Sequence, residues 1–298
     1  MHWFLLLVFQ HIYRSPLLLS VYKGLKYLVH ITTQTSEIYR LCNVNTGGEK
    51  LASPSIALLY RLDQSIFYSK QLVAEKRALQ EPDCDLVAVT TTVSAKKCLS
   101  PAATEILAIG LGRIHQTNCV LYGVERQIQT KYDRNNTEHE DKLKMLWNKM
   151  KPDEPLKSRH SKQWVDIGFQ GTDPATDFRG MGMGGLDDLL YFVTNYPQHA
   201  HSVLQHASHP VSWYPYAIVG INLTKFAYQL LERKQLQMFL FEYTSYHEFY
   251  CYLFYHFNQF WISHEPALTV MDFEQTLDQY KKRIERDLFR KVVKPLSS

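Results

Sequence analysis

The chain has 298 residues, 45% of them hydrophobic, and 33 lysines and arginines against 29 aspartates and glutamates, for a formal net charge of +4. That length and composition support one large domain or two small ones, with one domain plus an N-terminal region the simpler division, and the mild charge with no basic, aromatic-interleaved stripe argues against a nucleic-acid binder. The five cysteines, Cys42, Cys84, Cys98, Cys119 and Cys251, are odd in number and hold no C-x-x-C, so neither a disulfide framework nor a zinc site is indicated, and a reducing compartment fits.

Residues 1–30 form an apolar N-terminal segment: Trp3 to Phe9 is apolar, His11, Arg14 and Pro16 interrupt, and Leu17 to Tyr22 resumes before Lys23 and Lys26. A bilayer crossing needs about 20 uninterrupted apolar residues, which this stretch lacks. It also lacks a small-residue cleavage site after the apolar run, so it does not read as a removed signal peptide. Two readings remain: a helix lying in a membrane interface, and a helix docked on the protein's own apolar surface. Membrane association is the expectation, because so many large apolar residues precede Arg14.

Residues 31–101 read as a helical and linker region. Thr32 to Ser36 and Gly47-Gly48 mark residues 31–56 as loop, Ile56 to Leu79 as helix, and Thr90-Thr91-Thr92 to Pro101 as loop again. From residue 102 to the end, one helix follows another. Thr137 with Glu140 has the spacing of a capping box, Leu143, Leu146, Trp147 and Met150 then form one apolar face, and Pro152 stops the helix.

The most informative stretch is 164–186, which holds one arginine, Arg179, just before Gly180, Gly182, Gly184 and Gly185. Each glycine makes helix continuation less favourable by up to ~1 kcal/mol relative to alanine, which places Arg179 on an exposed turn. Upstream, Gln170-Gly171 reads as a turn, Asp173 as an N-cap and Pro174 as a first-turn residue. Downstream, Leu186, Leu189, Leu190 and Val193 recur at helical spacing, so rigid elements flank the arginine on both sides. On these residues alone, Arg179 is either a guanidinium presented to a partner or an anchor for its own turn, salt-bridged to Asp166, Asp173 or Asp177. Asp177 reads as a cap or local brace, Phe178 as a core anchor, and Trp164, Ile167 and Phe169 as packing residues.

This stretch resembles the signature of the ELMO domain in the ELMO domain-containing (ELMOD) branch, W-x-x-I-G-F-Q-G-x-D-P-x-T-D-F-R-G-x-G. Every fixed position is filled, by Trp164, Ile167, Gly168, Phe169, Gln170, Gly171, Asp173, Pro174, Thr176, Asp177, Phe178, Arg179, Gly180 and Gly182. Further similarity lies in Tyr132-Asp133, His139-Glu140, Ser161-Lys162-Gln163, Tyr216 to Thr224, Phe249 to Leu253 and Phe260-Trp261, so that most of residues 130–275 is covered. Gly184 stands where the family usually has an apolar residue and Asp188 where it usually has asparagine; both bear on the start of the following helix and the aim of the loop.

The resemblance implies a GTPase-activating protein for Arf-family and Arf-like small GTPases, with Arg179 as the catalytic residue. The adaptor members of the wider family bind guanine-nucleotide exchange factors and lack that arginine, so a non-catalytic adaptor is the alternative reading. An activator of this kind has no reaction centre, nucleotide site or cofactor of its own. In keeping with that, the chain contains no G-x-x-x-x-G-K-[ST], and Gly180 to Gly185 lacks both the lysine and the strand context of a phosphate loop. Gln170 is in principle able to orient a water, but the GTPase ordinarily brings its own glutamine. The expected place is the cytoplasm, peripheral at an intracellular membrane.

Beyond the signature, His199, His201, His206 and His209 do not fall on one face with a carboxylate or cysteine and read as a polar helix surface, not a metal site. Tyr216 to Leu231 is apolar nearly all round and reads as a buried central helix, with the aromatic-rich Phe249 to Trp261 packed on it. Tyr280, Ile284 and Leu288 mark an amphipathic C-terminal helix whose Lys281, Lys282 and Arg283 face solvent. The expected fold is an all-α, multi-helix domain.

Overall fold

The structure is a computed structural model that describes residues 2–43 and 54–297, with side chains described from residue 7 onward. It is all-α, with no strand among the described residues. It divides into two compact units: residues 1–122 with 240–244, and residues 123–239 with 245–298.

The first unit holds α1 (His2–Arg14), α2 (Pro16–Thr33), α3 (Glu37–Asn43), α4 (Ile56–Phe67), α5 (Val73–Ala78), α6 (Leu86–Lys97) and most of α7 (Pro101–Gln129). Ser15 caps α2, with its hydroxyl accepting from the Leu18 amide and Pro16 in the first turn. Ser55 and Asp85 cap α4 and α6 in the same way. The core of the unit gathers Ile38, Leu59, Leu62, Ile66, Leu72, Val93, Leu107, Leu111 and Ile114.

The N-terminal segment divides between two helices, of which α1 meets the reading of a helix docked on the protein's own surface. α1 docks on the unit: Tyr13 is buried, stacks on Tyr68 with ring centroids 5.9 Å apart and meets Tyr60 edge-on, while Arg61 lies 4.0 Å over the Phe9 ring. The apolar run from Trp3 begins among side chains outside the described residues. α2 has no buried residue, and Leu17, Leu18, Val21, Leu25, Leu28 and Ile31 are all exposed. Helical spacing puts Leu18, Val21, Leu25 and Leu28 on one stripe. No helix among the described residues is long and apolar enough to cross a membrane.

Three expectations for this region are corrected. Thr90 to Lys97 belongs to α6 and is not loop. The hydroxyls of Thr90, Thr91 and Thr92 bond back to the carbonyls of Leu86, Val87 and Ala88, a mild cost to the helix that the burial of Val89 and Val93 offsets. The span read as loop from 31 to 56 contains the end of α2, with Gln34 in the left-handed conformation at its C-cap, and then α3; Gly47-Gly48 lies outside the described residues. Ile56 to Leu79 is two helices, because α4 ends at Phe67 and buried Leu72 intervenes before α5.

The second unit is built from the end of α7, α8 (Thr137–Met150), two 3₁₀ turns (Lys162–Ile167 and Pro174–Arg179), α9 (Gly182–Asn195), α10 (Pro197–Ala207), α11 (Tyr216–Glu232), the start of α12 (Gln237–Tyr243), α13 (Tyr246–Ile262), a third 3₁₀ turn (Val270–Asp272) and α14 (Phe273–Phe289). α9 and α11 pack together with α13 across them, and α11 carries a long buried series that includes Val219, Leu223, Phe226 and Leu230. The aromatic α13 buries Phe249, Tyr250, Phe254, Phe257 and Trp261, and α14 buries Leu277, Tyr280 and Ile284. Leu143, Leu146, Trp147 and Met150 form the buried face of α8 as expected. Its N-cap is Asn136, which accepts from the Glu138 amide, in place of the expected Thr137.

Candidate functional site

Arg179 is the last residue of the 3₁₀ turn Pro174–Arg179 and is exposed. Asp173 opens that turn as its N-cap, accepting from the Ala175 amide at 3.1 Å, and Pro174 follows with the missing N–H that a first helical turn tolerates. Phe178 points the other way and is buried. A single turn therefore separates an anchored ring from a solvent-facing guanidinium on adjacent residues.

The anchor is a chain of aromatic contacts. Trp147 meets Trp164 at 5.4 Å between centroids, Trp164 meets Phe169 at 5.8 Å, and Phe169 meets Phe178 at 5.6 Å, all edge-on; Tyr132 stacks on Phe178 at 5.6 Å. Each such pair adds roughly 0.5–1.5 kcal/mol beyond its buried area, so α8 and both 3₁₀ turns are packed into one cluster. The indole N–H groups are satisfied as well, that of Trp147 by the Glu154 carbonyl and that of Trp164 by the Arg159 carbonyl.

Ion pairs brace the same block. Asp173 is held by Arg134 and by Arg159, whose Nη1 lies 3.1 Å from Oδ1. Arg159 also donates to Glu140, which accepts from the Tyr132 hydroxyl at 2.8 Å. Asp177 accepts the Gln170 amide at 2.8 Å and so ties the Gln170-Gly171 turn to the arginine turn. Burial pushes the Asp177 carboxyl up, with the Gln170 amide and the Arg179 charge offsetting part of the effect.

None of these acidic groups forms an ion pair with Arg179, although its charge acts on Asp177. Its Nε donates to the Thr176 carbonyl at 2.7 Å, and it makes no ion pair among the described residues. Among the described residues Arg179 makes no ion pair with Asp166, Asp173 or Asp177: Asp173 is taken by Arg134 and Arg159, and Asp177, within reach of the Arg179 charge, accepts a backbone amide. One hydrogen bond to the preceding turn fixes the base of the guanidinium and leaves its forked end outward.

The glycine run differs from the expected loop. α9 already begins at Gly182, so Gly184 and Gly185 are helical and buried. The Met183 amide, an orphan donor of the first turn, finds the Thr130 carbonyl at 2.8 Å. Gly182 has φ +49, and a Cβ there would lie 2.3 Å from the Ile128 carbonyl oxygen, so the turn into α9 depends on glycine. Gly168, φ +82, is held as tightly against the Tyr216 amide. Gly180 has open space around it.

The remaining singled-out residues lie close by in sequence but act differently. The Gln170 side chain is exposed. Asp188, one of the two departures from the family pattern, is buried in α9 and bonds His247 of α13 at 2.9 Å. Burial alone would lower the His247 imidazole, but the hydrogen bond and charge of Asp188 outweigh it and hold it above its ordinary value. The four histidines of α10 and its exit are engaged one by one: His201 with the Lys149 carbonyl, His206 with Asn258, His209 with the Val211 and Ser212 amides, and His199 against the rings of Tyr196 and Tyr255. No group of three or more histidines, cysteines and acids suited to a metal occurs among the described residues.

Sequence reading missed the bracing arginine. Arg159 belongs to no motif, and its partners Glu140 and Asp173 lie 19 and 14 positions away. It also missed a cleft of about 690 Å³ beside the Gln170-Gly171 turn, flanked by the exposed Val165 and Trp213.

With that geometry in place, similarity to known proteins is consistent along the chain. The family model for the ELMO/CED-12 family matches residues 122–277. ELMO domain-containing protein 2 of Homo sapiens is 35% identical over 272 residues, which cover 88% of this chain and 89% of that protein. ELMO domain-containing protein B of Dictyostelium discoideum is 32% identical over 88% of this chain and 93% of its own length, and ELMO domain-containing protein 1 of Bos taurus is 31% identical over 90% and 88%. The chain belongs to the ELMO/CED-12 family, within its ELMO domain-containing proteins.

Proposed function

We propose that this protein is a GTPase-activating protein for Arf-family or Arf-like small GTPases and that Arg179 is the catalytic group it inserts into the partner's active site. The observation that carries the reading is the state of Arg179: exposed, free of any ion pair among the described residues, and mounted on a turn locked by Phe178 and Asp173.

In GTP hydrolysis, negative charge shifts onto the phosphate oxygens at the transition state. A planar, permanently charged guanidinium donates two hydrogen bonds to them at once, which an ammonium cannot. Supplied in trans, such a group is worth on the order of 10³ to 10⁵ in turnover, while the GTPase keeps its own phosphate loop, magnesium and water-orienting glutamine. A preorganised turn matters because ordering a flexible arginine at the moment of contact would cost part of that gain. The Asp173, Asp177 and Phe178 side chains are positioning residues in this scheme, and Gly180 leaves room for the approaching surface. The exposed stripe of α2 holds the protein peripherally at the cytoplasmic face of an intracellular membrane, where such GTPases work.

The test compares affinities for an Arf-family GTPase loaded with GDP, with a GTP analogue and with GDP plus aluminium fluoride, which mimics the transferred phosphoryl group. An activator binds the aluminium-fluoride form most tightly, and Arg179→Ala removes that preference. Equal affinity for the GTP-analogue and aluminium-fluoride forms would identify an adaptor instead.

A further inference from the structure

A cavity of about 470 Å³ lies in the first unit among α2, α3, the end of α4 and the C-terminal end of α6. Lys26 and His30 reach it from α2, on the side of the helix opposite the stripe of Leu18, Val21, Leu25 and Leu28. Arg40 of α3 and Lys96 and Lys97 of α6 line the same space. Against these cations the described residues of the lining contain one carboxylate, Glu37.

That carboxylate is already consumed. Glu37 is buried, pairs with Lys26, and accepts from the hydroxyls of Tyr22 and Ser65, with Arg61 at 3.6 Å. Lys96 is matched by Glu75 at 2.6 Å. Arg40 and Lys97 are not matched: Arg40 donates to the Thr35 carbonyl at 2.7 Å and Lys97 to the Gln71 amide oxygen at 2.6 Å, and neither makes an ion pair among the described residues. Burial, then the neighbouring Lys96 charge, hold the Lys97 ammonium below the usual lysine range. Glu75 offsets part of that effect on Lys97 through its charge, but two cations without an ion pair of their own, facing one partly desolvated cavity, cost stability, and an anion bound there reverses that cost.

We propose that this cavity is a binding site for a phosphate-bearing anion, gripped by the Arg40 guanidinium and the Lys97 ammonium with His30 and Lys96 flanking. Arginine supplies a planar fork and lysine a compact charge, a pairing suited to tetrahedral phosphate oxygens. The volume exceeds one phosphate and falls in the range of small-molecule sites, so the ligand carries the phosphate on a larger polar body. A soluble phosphate ester and a phosphorylated lipid headgroup share this chemistry. The site is independent of Arg179.

The experiment titrates the full chain with inositol hexakisphosphate and inorganic pyrophosphate by calorimetry. In parallel, phosphatidylcholine vesicles with and without phosphatidylinositol bisphosphate are tested by flotation. Saturable binding is expected, weakened about tenfold or more in Arg40→Gln/Lys97→Gln. It should be unchanged in Arg179→Lys and in Lys281→Gln/Lys282→Gln, which removes equal charge from α14. Response to the soluble probes assigns a free ligand; response to the phosphoinositide vesicles alone, lost in the same variant, assigns a headgroup. Cys98, exposed on the cavity lining, gives a second readout, because a bound probe slows its alkylation. Should the double variant melt early, Lys97→Gln alone serves, with the same expected direction. Absence of binding from both sources, or binding that the Arg40/Lys97 substitutions leave intact, overturns the proposal.

Discussion

At the residue scale, the site rests on a division of labour between neighbours. Phe178 is held by Tyr132 and Phe169, whereas Arg179 is exposed and donates to the carbonyl of Thr176. Phe178→Ala should therefore lower stability by about 3–5 kcal/mol in chemical denaturation, as buried aromatic deletions do, while Arg179→Ala should stay within about 0.5 kcal/mol. The glycines separate in the same way. Gly182→Ala forces a side chain into the Ile128 and Thr130 carbonyls at positive φ and should cost about 2–3 kcal/mol; Gly180→Ala meets nothing and should leave the melting curve unchanged. A Gly182 variant as stable as the parent would contradict the account of how α9 starts. Asp173, Pro174 and Phe178 were legible in the sequence because caps and first-turn prolines act within a few residues. Arg159 was not, since nothing local to it encodes a partner far along the chain.

At the element scale, period and burial were readable where one face is apolar, as in α8, α11, α13 and α14. They failed where packing overrode composition: the threonines of α6 suggested loop although Val89 and Val93 bury that helix, and the glycines of α9 suggested loop although packing against Ile128 makes their missing side chains an advantage. α9 and α13 carry a pH-sensitive tie. His247 stacks on Tyr191 and faces Asp188, with Asp187 and Glu248 adding negative charge. Its folded value lies above the ordinary 6.5, so the stability it contributes is complete below about pH 6.5 and fades as pH rises through the raised value. The melting temperature should fall over that upward window, and Asp188→Asn, which removes the charge but keeps the shape, should flatten the dependence. A parent curve that rises or stays level there would reject the pairing. α2 gives a second element-scale test, since deletion of the whole segment would also remove the docked Tyr13 of α1. Val21→Gln/Leu25→Gln instead strips the exposed stripe, and should weaken vesicle flotation on the order of tenfold with no change in melting. Unaltered flotation would leave the membrane reading without its surface.

At the scale of the whole molecule, the first unit carries the apolar stripe and the basic cavity, and the second carries the arginine turn with its aromatic anchor. Under the proposed function, location and activation fall to different units. Confinement to a surface shared with a membrane-attached GTPase raises effective concentration without any new contact at Arg179. The all-α class was legible from helical periodicity and the family from the signature at 164–182; the stripe's exposure was not, because an apolar run looks the same whether it is docked or bare. The central claim is that Arg179 completes a partner's active site. Single-turnover GTP hydrolysis by a panel of Arf and Arf-like GTPases, with parent and Arg179→Lys at equal concentration, tests it most directly. The account predicts that the parent accelerates at least one of these GTPases and that the lysine variant loses on the order of 10³ of that acceleration while melting at the parent temperature. Equal acceleration by both proteins would contradict it.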